Sequence, residues 1–245
     1  MKKKIVALCL IIALATTAIV GGTLAYFTDT DQATNVFTTG NVDIQINEKV
    51  DEDTHLMPGK KINKDVFVQN TGTEPAYVRV HIGIPANMDD GDPDFAAYKN
   101  FLHWNFTQAG IAAGQWNWSD SATGSNYPGN GGSWNYYTTT VNGQEYAVYV
   151  ATYMSELAPG AETATESLTQ VYMDATVDAT SNEDGTITYE DSFGNKVTLD
   201  PKDDIKIEVF AEGTQVEGFE DPYTALDTAF GAVGSYNPWG AAPQQ

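Results

Sequence analysis

Three histidines, His55, His81 and His103, are the residues best suited to bind a transition metal in this 245-residue chain, whose one cysteine, Cys9, lies near the N-terminus. Zinc sites draw on closely spaced His, Cys and carboxylate ligands. None of the three histidines opens an HExxH helix, so the usual metallopeptidase constellation is missing. An oxygen-rich loop, with Asp89, Asp90, Asp92 and Asp94 around Gly91, has the ligand type that suits calcium, although caps and turns use the same residues. Asn182-Glu183-Asp184-Gly185 imitates part of an EF-hand loop. Thr180 stands at its first ligand position, however, and a strand-like run follows, so a hairpin turn is the better account. Trp104, Trp116, Trp118 and Trp134 are rings that either stack on sugars or pack a Gly-rich segment onto a core. Neither a nucleophile elbow nor a Gly-rich phosphate loop occurs.

The elements that must carry these residues are mostly strands. Val42, Ile44 and Ile46 alternate with Asp43, Gln45 and Asn47, and Val78, Val80, Ile82 and Ile84 alternate with Tyr77, Arg79, His81 and Gly83. Val171, Met173, Ala175 and Val177 form a third such run, and Ile205, Ile207, Val209 and Ala211 a fourth. Period-two patterning predicts strands with one face in a core and the other in water, which puts His81 on an outward face. Pro58-Gly59, Asn70-Thr71-Gly72, Pro159-Gly160, Asp184-Gly185 and Gly194-Asn195 supply the turns. The fold class is therefore all-β, a jelly-roll-like antiparallel sandwich spanning 39–234. Two short helices are expected. One is capped by Asp92 with Pro93 at its first position, carries Phe95, Tyr98, Phe101 and Leu102, and is closed by His103. The other starts at Asp221-Pro222 and stops at Gly231. A Trp/Gly/Asn-rich insertion is expected at about 85–135, and a poorly ordered tail at 235–245.

Residues 1–25 read as a signal peptide: Lys2, Lys3 and Lys4, then an apolar run from Ile5 to Val20, then small residues up to Ala25. Cleavage between Ala25 and Tyr26 is expected. The competing reading, an uncleaved anchor, needs roughly 20 continuous apolar residues. Removal of this segment takes Cys9 with it, so the exported chain holds its fold by core burial without disulfides. A net charge of −21 argues against nucleic acid as a partner. With 42% hydrophobic and 18% charged residues, the chain is globular rather than an acidic disordered tail.

Several of these pieces, in order, resemble the TasA/camelysin family. They are the junction Gly21-Gly22-Thr23-Leu24-Ala25-Tyr26-Phe27-Thr28-Asp29, then Phe37-Thr38-Thr39-Gly40-Asn41-Val42-Asp43-Ile44, then Leu56-Met57-Pro58-Gly59 leading to Val66-Phe67-Val68-Gln69-Asn70-Thr71-Gly72. Ile205 to Phe210, Val216-Glu217-Gly218-Phe219 and the helix after them are similar as well. The resemblance implies a precursor cut by a SipW-type signal peptidase and a secreted, non-enzymatic subunit of biofilm-matrix or cell-surface fibres. It further implies head-to-tail homopolymers in which the segment from Tyr26 to about Thr38, with Tyr26, Phe27, Thr28, Val36 and Phe37 at the interface, completes the sheet of the next subunit. An open sheet edge has unpaired backbone groups and accepts such a strand readily. Two other functions stand beside it: a secreted module binding matrix glycans through the tryptophans, and a camelysin-like metalloprotease. No cofactor is required by the first reading. Calcium on Asp89, Asp92 and Asp94 is the one metal it leaves open.

Overall fold

The computed structural model describes residues 28–30, 41–51, 55–89, 101–105, 114–127, 133–202 and 205–240. Its strands, in chain order, are β1 (Thr28–Thr30), β2 (Ile44–Val50), β3 (Lys61–Asn70), β4 (Ala76–Pro85), β5 (Leu102–Asn105), β6 (Trp116–Asn117), β7 (Tyr136–Val141), β8 (Gln144–Tyr153), β9 (Leu168–Met173), β10 (Asp178–Ser181), β11 (Ile187–Glu190), β12 (Lys196–Leu199) and β13 (Glu208–Gln215), followed by helix α1 (Pro222–Phe230). The first sheet has the order β1-β13-β4-β8-β6, with β7 also on β8, and the second runs β2-β3-β9-β5. A small meander, β10-β11-β12, stands beside them. All strand pairings are antiparallel.

The two larger sheets form the all-β sandwich that the alternation predicts. Val78, Val80, Ile82 and Ile84 of β4 share one core with Ile62, Val66 and Val68 of β3 and Leu168, Val171 and Met173 of β9. Two Pro-Gly turns set the entries to β3 and toward β9. Gly59 (φ 77°) and Gly160 (φ 75°) each sit third in a turn closed by a bond to the first residue's carbonyl, Lys60 N to Met57 O and Ala161 N to Ala158 O, both 3.0 Å. This is the type II geometry, which demands a positive φ at that place.

Four expectations are corrected. First, β4 has no water-facing side: all ten of its residues are buried. Its outer face is covered by α1, which packs Ala225 and Leu226 on Tyr77, and by the stretch 231–240. Second, that stretch includes Ser235–Gly240 of the expected tail, and it is an ordered strap: Tyr236 bonds to Arg79, and Trp239 packs on Phe210 and His81.

Third, the insertion is not an appendage. Its β5 pairs with β9 in one sheet, its β6 pairs with β8 in the other, and Trp116 and Trp118 are fully buried in the shared core. Fourth, the helix expected before His103 does not reach that far, because Leu102 and His103 belong to β5; Asp92, Pro93, Phe95 and Tyr98 lie outside the described residues. The third alternating run ends at Met173, because Asp174 closes a tight local turn, its Oδ1 accepting from Thr176 N at 2.7 Å. The fourth becomes strand at Glu208 rather than Ile205. Helix α1 follows its signals: Asp221 accepts from Thr224 N at 3.0 Å, Pro222 is first, and Gly231 ends it.

Candidate functional site

β13 is paired along its whole length on one side and along less than half of it on the other. On one side all eight residues pair with β4, from Glu208↔Gly83 to Gln215↔Ala76. On the other, three residues pair with β1: Thr28↔Thr214, Asp29↔Gly213 and Thr30↔Glu212. Among the described strands, Glu208 to Ala211 have no neighbour on that side. The first sheet thus ends in an edge longer than the segment laid along it, and the segment comes from the N-terminal stretch read as an assembly interface. Thr28 is the one described residue of that set; Ala25, Tyr26, Phe27, Val36 and Phe37 lie outside the described residues.

The edge is shaped from below by Gly213. A β-carbon there would lie 2.7 Å from Ile44 Cγ2 of β2, so the absence of a side chain lets β13 settle onto the second sheet. Gly213→Val is expected to lift β13 and cost on the order of 1–3 kcal/mol, the usual range for overpacking. Urea unfolding checks it, and Gly213→Ala should lose less. Thr214, next in the strand, is buried, and its hydroxyl has no hydrogen-bond partner among the described residues.

Behind the edge lies a buried charge network, built on the outer side chains of β4 and β13 and closed by α1 and the strap. Register places Arg79 directly beside Glu212. Arg79 Nε donates to Glu212 Oε2 at 2.5 Å, Nη1 to Asp227 Oδ1 at 2.8 Å, and Nη2 to Gly231 O at 3.0 Å and Tyr236 Oη at 2.7 Å. The Tyr236 hydroxyl in turn donates to Glu212 Oε1. His81 Nε2 is 3.3 Å from Glu212 Oε2, its Nδ1 is 3.1 Å from the Tyr137 hydroxyl, and Phe210 and Trp239 stand edge-on to its ring. Burial by itself would raise the Glu212 carboxyl, but His81, Arg79 and Tyr236 outweigh it and hold it at about 2. Burial pushes His81 down despite Glu212, so its imidazole is neutral at pH 7. Burial also pushes the Tyr236 and Tyr137 hydroxyls up. Arg79 is pushed further up, since Glu212 overcomes the cost of burial.

A buried neutral histidine makes stability pH-dependent. Below its ordinary value of 6.5 the unfolded chain binds a proton that the folded chain refuses, so stability falls as pH falls. The slope is at most about 1.4 kcal/mol per pH unit for one group. Urea midpoints between pH 7.5 and 5.5 should show this decline, and His81→Gln should lessen it, leaving the part due to His103, which burial also pushes down.

The residues read as candidates for chemistry are not brought together. His81 is sealed under the strap; His103 is on β5 of the other sheet, stacked on Tyr172 at 5.1 Å with Asp174 at 3.6 Å; His55 precedes the Pro58 turn. Among the described residues, no three His, Cys, Asp or Glu side chains are grouped to hold a metal. Asp89 is buried, both its carboxylate oxygens accepting from the Tyr149 hydroxyl, while Asp92 and Asp94 lie outside the described residues. Trp116, Trp118 and Trp134 are buried, so these rings offer no platform to a sugar. A surface depression of about 550 Å³, lined by Ala86, Asn87, Thr140, Gly143, Gln144 and Glu145, has a carboxylate but no histidine or serine beside it.

Residues 1–94 match the family model described as camelysin metallo-endopeptidase. Over that stretch the chain is similar to the camelysin family. The family includes TasA, as the ordered motifs implied. The match takes in the N-terminal segment with β1 and strands β2, β3 and β4, and leaves β13, α1 and the strap beyond it. Comparisons with curated proteins and with solved structures find no match. The camelysin description implies a metal, and the three histidines do not fit one: they stand on separate elements, and the most buried of them bonds to the Tyr137 hydroxyl through Nδ1 with its Nε2 enclosed beside Glu212. Sequence reasoning missed the network because Glu212 and Arg79 are 133 positions apart. A polar residue at every second place of an apolar strand looks the same whether water or another layer lies above it.

Proposed function

We propose that this camelysin-like chain is a structural subunit of extracellular fibres, exported by its leader and processed by a SipW-type signal peptidase to begin at Tyr26. Subunits join head to tail. The segment from Tyr26 to about Thr38 leaves its own domain and lies along β13 of a second copy, where Thr28–Thr30 lie here. The observation that carries this reading is the pairing of an N-terminal strand, three residues long, with an eight-residue edge.

The physics is that of exchange. A strand moved from one copy to another makes the same backbone bonds, so the reaction is nearly balanced in hydrogen bonding. Three ladder positions, at about 1 kcal/mol net per bond, hold the segment weakly enough to release. Because the donating end and the accepting edge are different surfaces, the contact does not close and propagates a filament. Calcium and matrix glycans are not needed for this step.

Negative-stain microscopy of the chain beginning at Tyr26 tests it. Filaments are expected, and deletion of Tyr26 to Thr38 should abolish them while leaving the β-type circular dichroism. Discrete particles from both forms would sink the reading. A second reading, peptidase activity, is favoured by the family description alone. Chelator-sensitive caseinolysis by the pure chain, lost on His55 or His81 substitution, would establish it.

A further inference from the structure

We propose that the C-terminal strap, through Tyr236 and Trp239, is a positioning element for the assembly edge: it clamps β13 onto β4 so that the other side of β13 keeps the geometry a donated strand needs. The inference rests on the fibre reading and adds to it that the two ends of the chain act on opposite sides of one strand.

The residues that make the clamp lie in the rows that make the edge. Thr30, Glu212, Arg79 and Thr152 are successive partners across β1, β13, β4 and β8. The row that ends the β1 pairing is therefore the row whose side chains form the buried network. Glu212 is completely buried, and a carboxylate in that position is tolerable only while its hydrogen bonds are complete. The Tyr236 hydroxyl supplies one of them and also takes an Arg79 N–H.

Two residues along β13, Phe210 is covered by Trp239 at 5.9 Å between ring centres. The strap is held at its far side by Asn237 Nδ2, which donates to Thr140 O of β7 at 3.0 Å, while Val233 packs on Val148 and Val150 of β8. It thus crosses the sheet from β7 to β13 and fastens both margins. β13 is the strand free to respond, because β4 and β8 are each flanked along most of their length on both sides and β13 is not. Without the Tyr236 hydroxyl, Glu212 and Arg79 each lose a buried partner. The relief open to them is for β13 to rise and admit water, which spoils the edge that a second copy must recognise.

Two measurements on the chain beginning at Tyr26 test this: amide hydrogen exchange, and uptake of a fluorescent synthetic peptide of sequence Tyr26 to Thr38 followed by anisotropy. The variants are Tyr236→Phe and Trp239→Ala, with Val197→Ala as a control that trims the core from the small meander. Tyr236→Phe is expected to raise exchange at Phe210 to Thr214 relative to β8, and to weaken peptide uptake, by roughly ten-fold or more, the worth of a hydrogen bond to a charged group. Trp239→Ala should act in the same direction, and serves alone if Tyr236→Phe fails to fold. Val197→Ala should lower stability without singling out β13 or peptide uptake.

Unchanged β13 exchange in both strap variants would overturn the proposal. So would normal peptide uptake by chains whose β13 has loosened, which would make the strap merely structural. In either case uptake by the unsubstituted chain leaves the fibre reading standing. No uptake and no filaments from the unsubstituted chain would remove the fibre reading and this proposal with it.

Discussion

Glu212→Ala is expected to destabilise the fold by about 3–5 kcal/mol, the usual loss when one partner of a buried ion pair is deleted. The reason is the stranded Arg79. Its guanidinium is 2% exposed and cannot shed its charge, and Asp227, itself 43% exposed, screens it only in part. A shift of the urea midpoint at constant slope is the signature to look for. The double variant Arg79→Met, Glu212→Leu should recover much of the loss, because apolar residues of similar volume often replace a buried pair without penalty. A double variant no better than the single one would show that the network does more than balance its own charges.

The same carboxylate sets the acid limit of the fold. Its folded value of about 2 lies below the ordinary 4.5, so its contribution is present above about pH 4.5 and is lost as pH falls toward 2. Glu212→Gln should remove that acid contribution while leaving the decline below pH 6.5 that the buried histidines give. Urea midpoints of Glu212→Gln and His81→Gln, followed across pH, tell the two contributions apart.

Trp118→Ala is the second large effect, expected at about 3–5 kcal/mol for a buried aromatic. Trp118 is completely buried, with Trp104 at 4.7 Å between ring centres, and its backbone N–H and C=O pair with Asn126 and Asn135. It stands just past β6, a strand of two residues that two pairings could not hold alone. Trp116 secures the same stretch through an indole N–H donated to Thr165 O at 3.0 Å. Thermal unfolding distinguishes this core role from sugar recognition. A ring kept for a ligand could be removed within about 0.5 kcal/mol, as surface substitutions usually are.

Tyr77 to Ile84 and Asn41 to Asn47 were legible as strands because their apolar residues recur every second place, and that period survives any tertiary setting. The Pro-Gly turns and the Asp221-Pro222 helix start were legible for the same local reason: the backbone angles they require are set by the residues themselves. Trp116 and Trp118 stood open between sugar stacking and core packing, since Gly, Asn and Ser around a ring look like a loop until the ring is seen to fill a core. His103 was misjudged because one aromatic period can be read as helix when its partner, β9, lies 69 positions away (Tyr172).

Sequence alone settled what short-range chemistry controls: strands rather than helices, the turns between them, and the ordered motifs similar to a family whose model covers residues 1–94. Tertiary structure decided everything that depends on what lies above a strand. Arg79, His81 and Glu212 alternate with apolar residues just as water-facing side chains do. They became a buried network because α1 and the strap fold back over them from more than 140 positions beyond Arg79. Alternation reports which side of a strand differs from the other, and it carries no information on whether that side meets solvent or a further layer of the same chain.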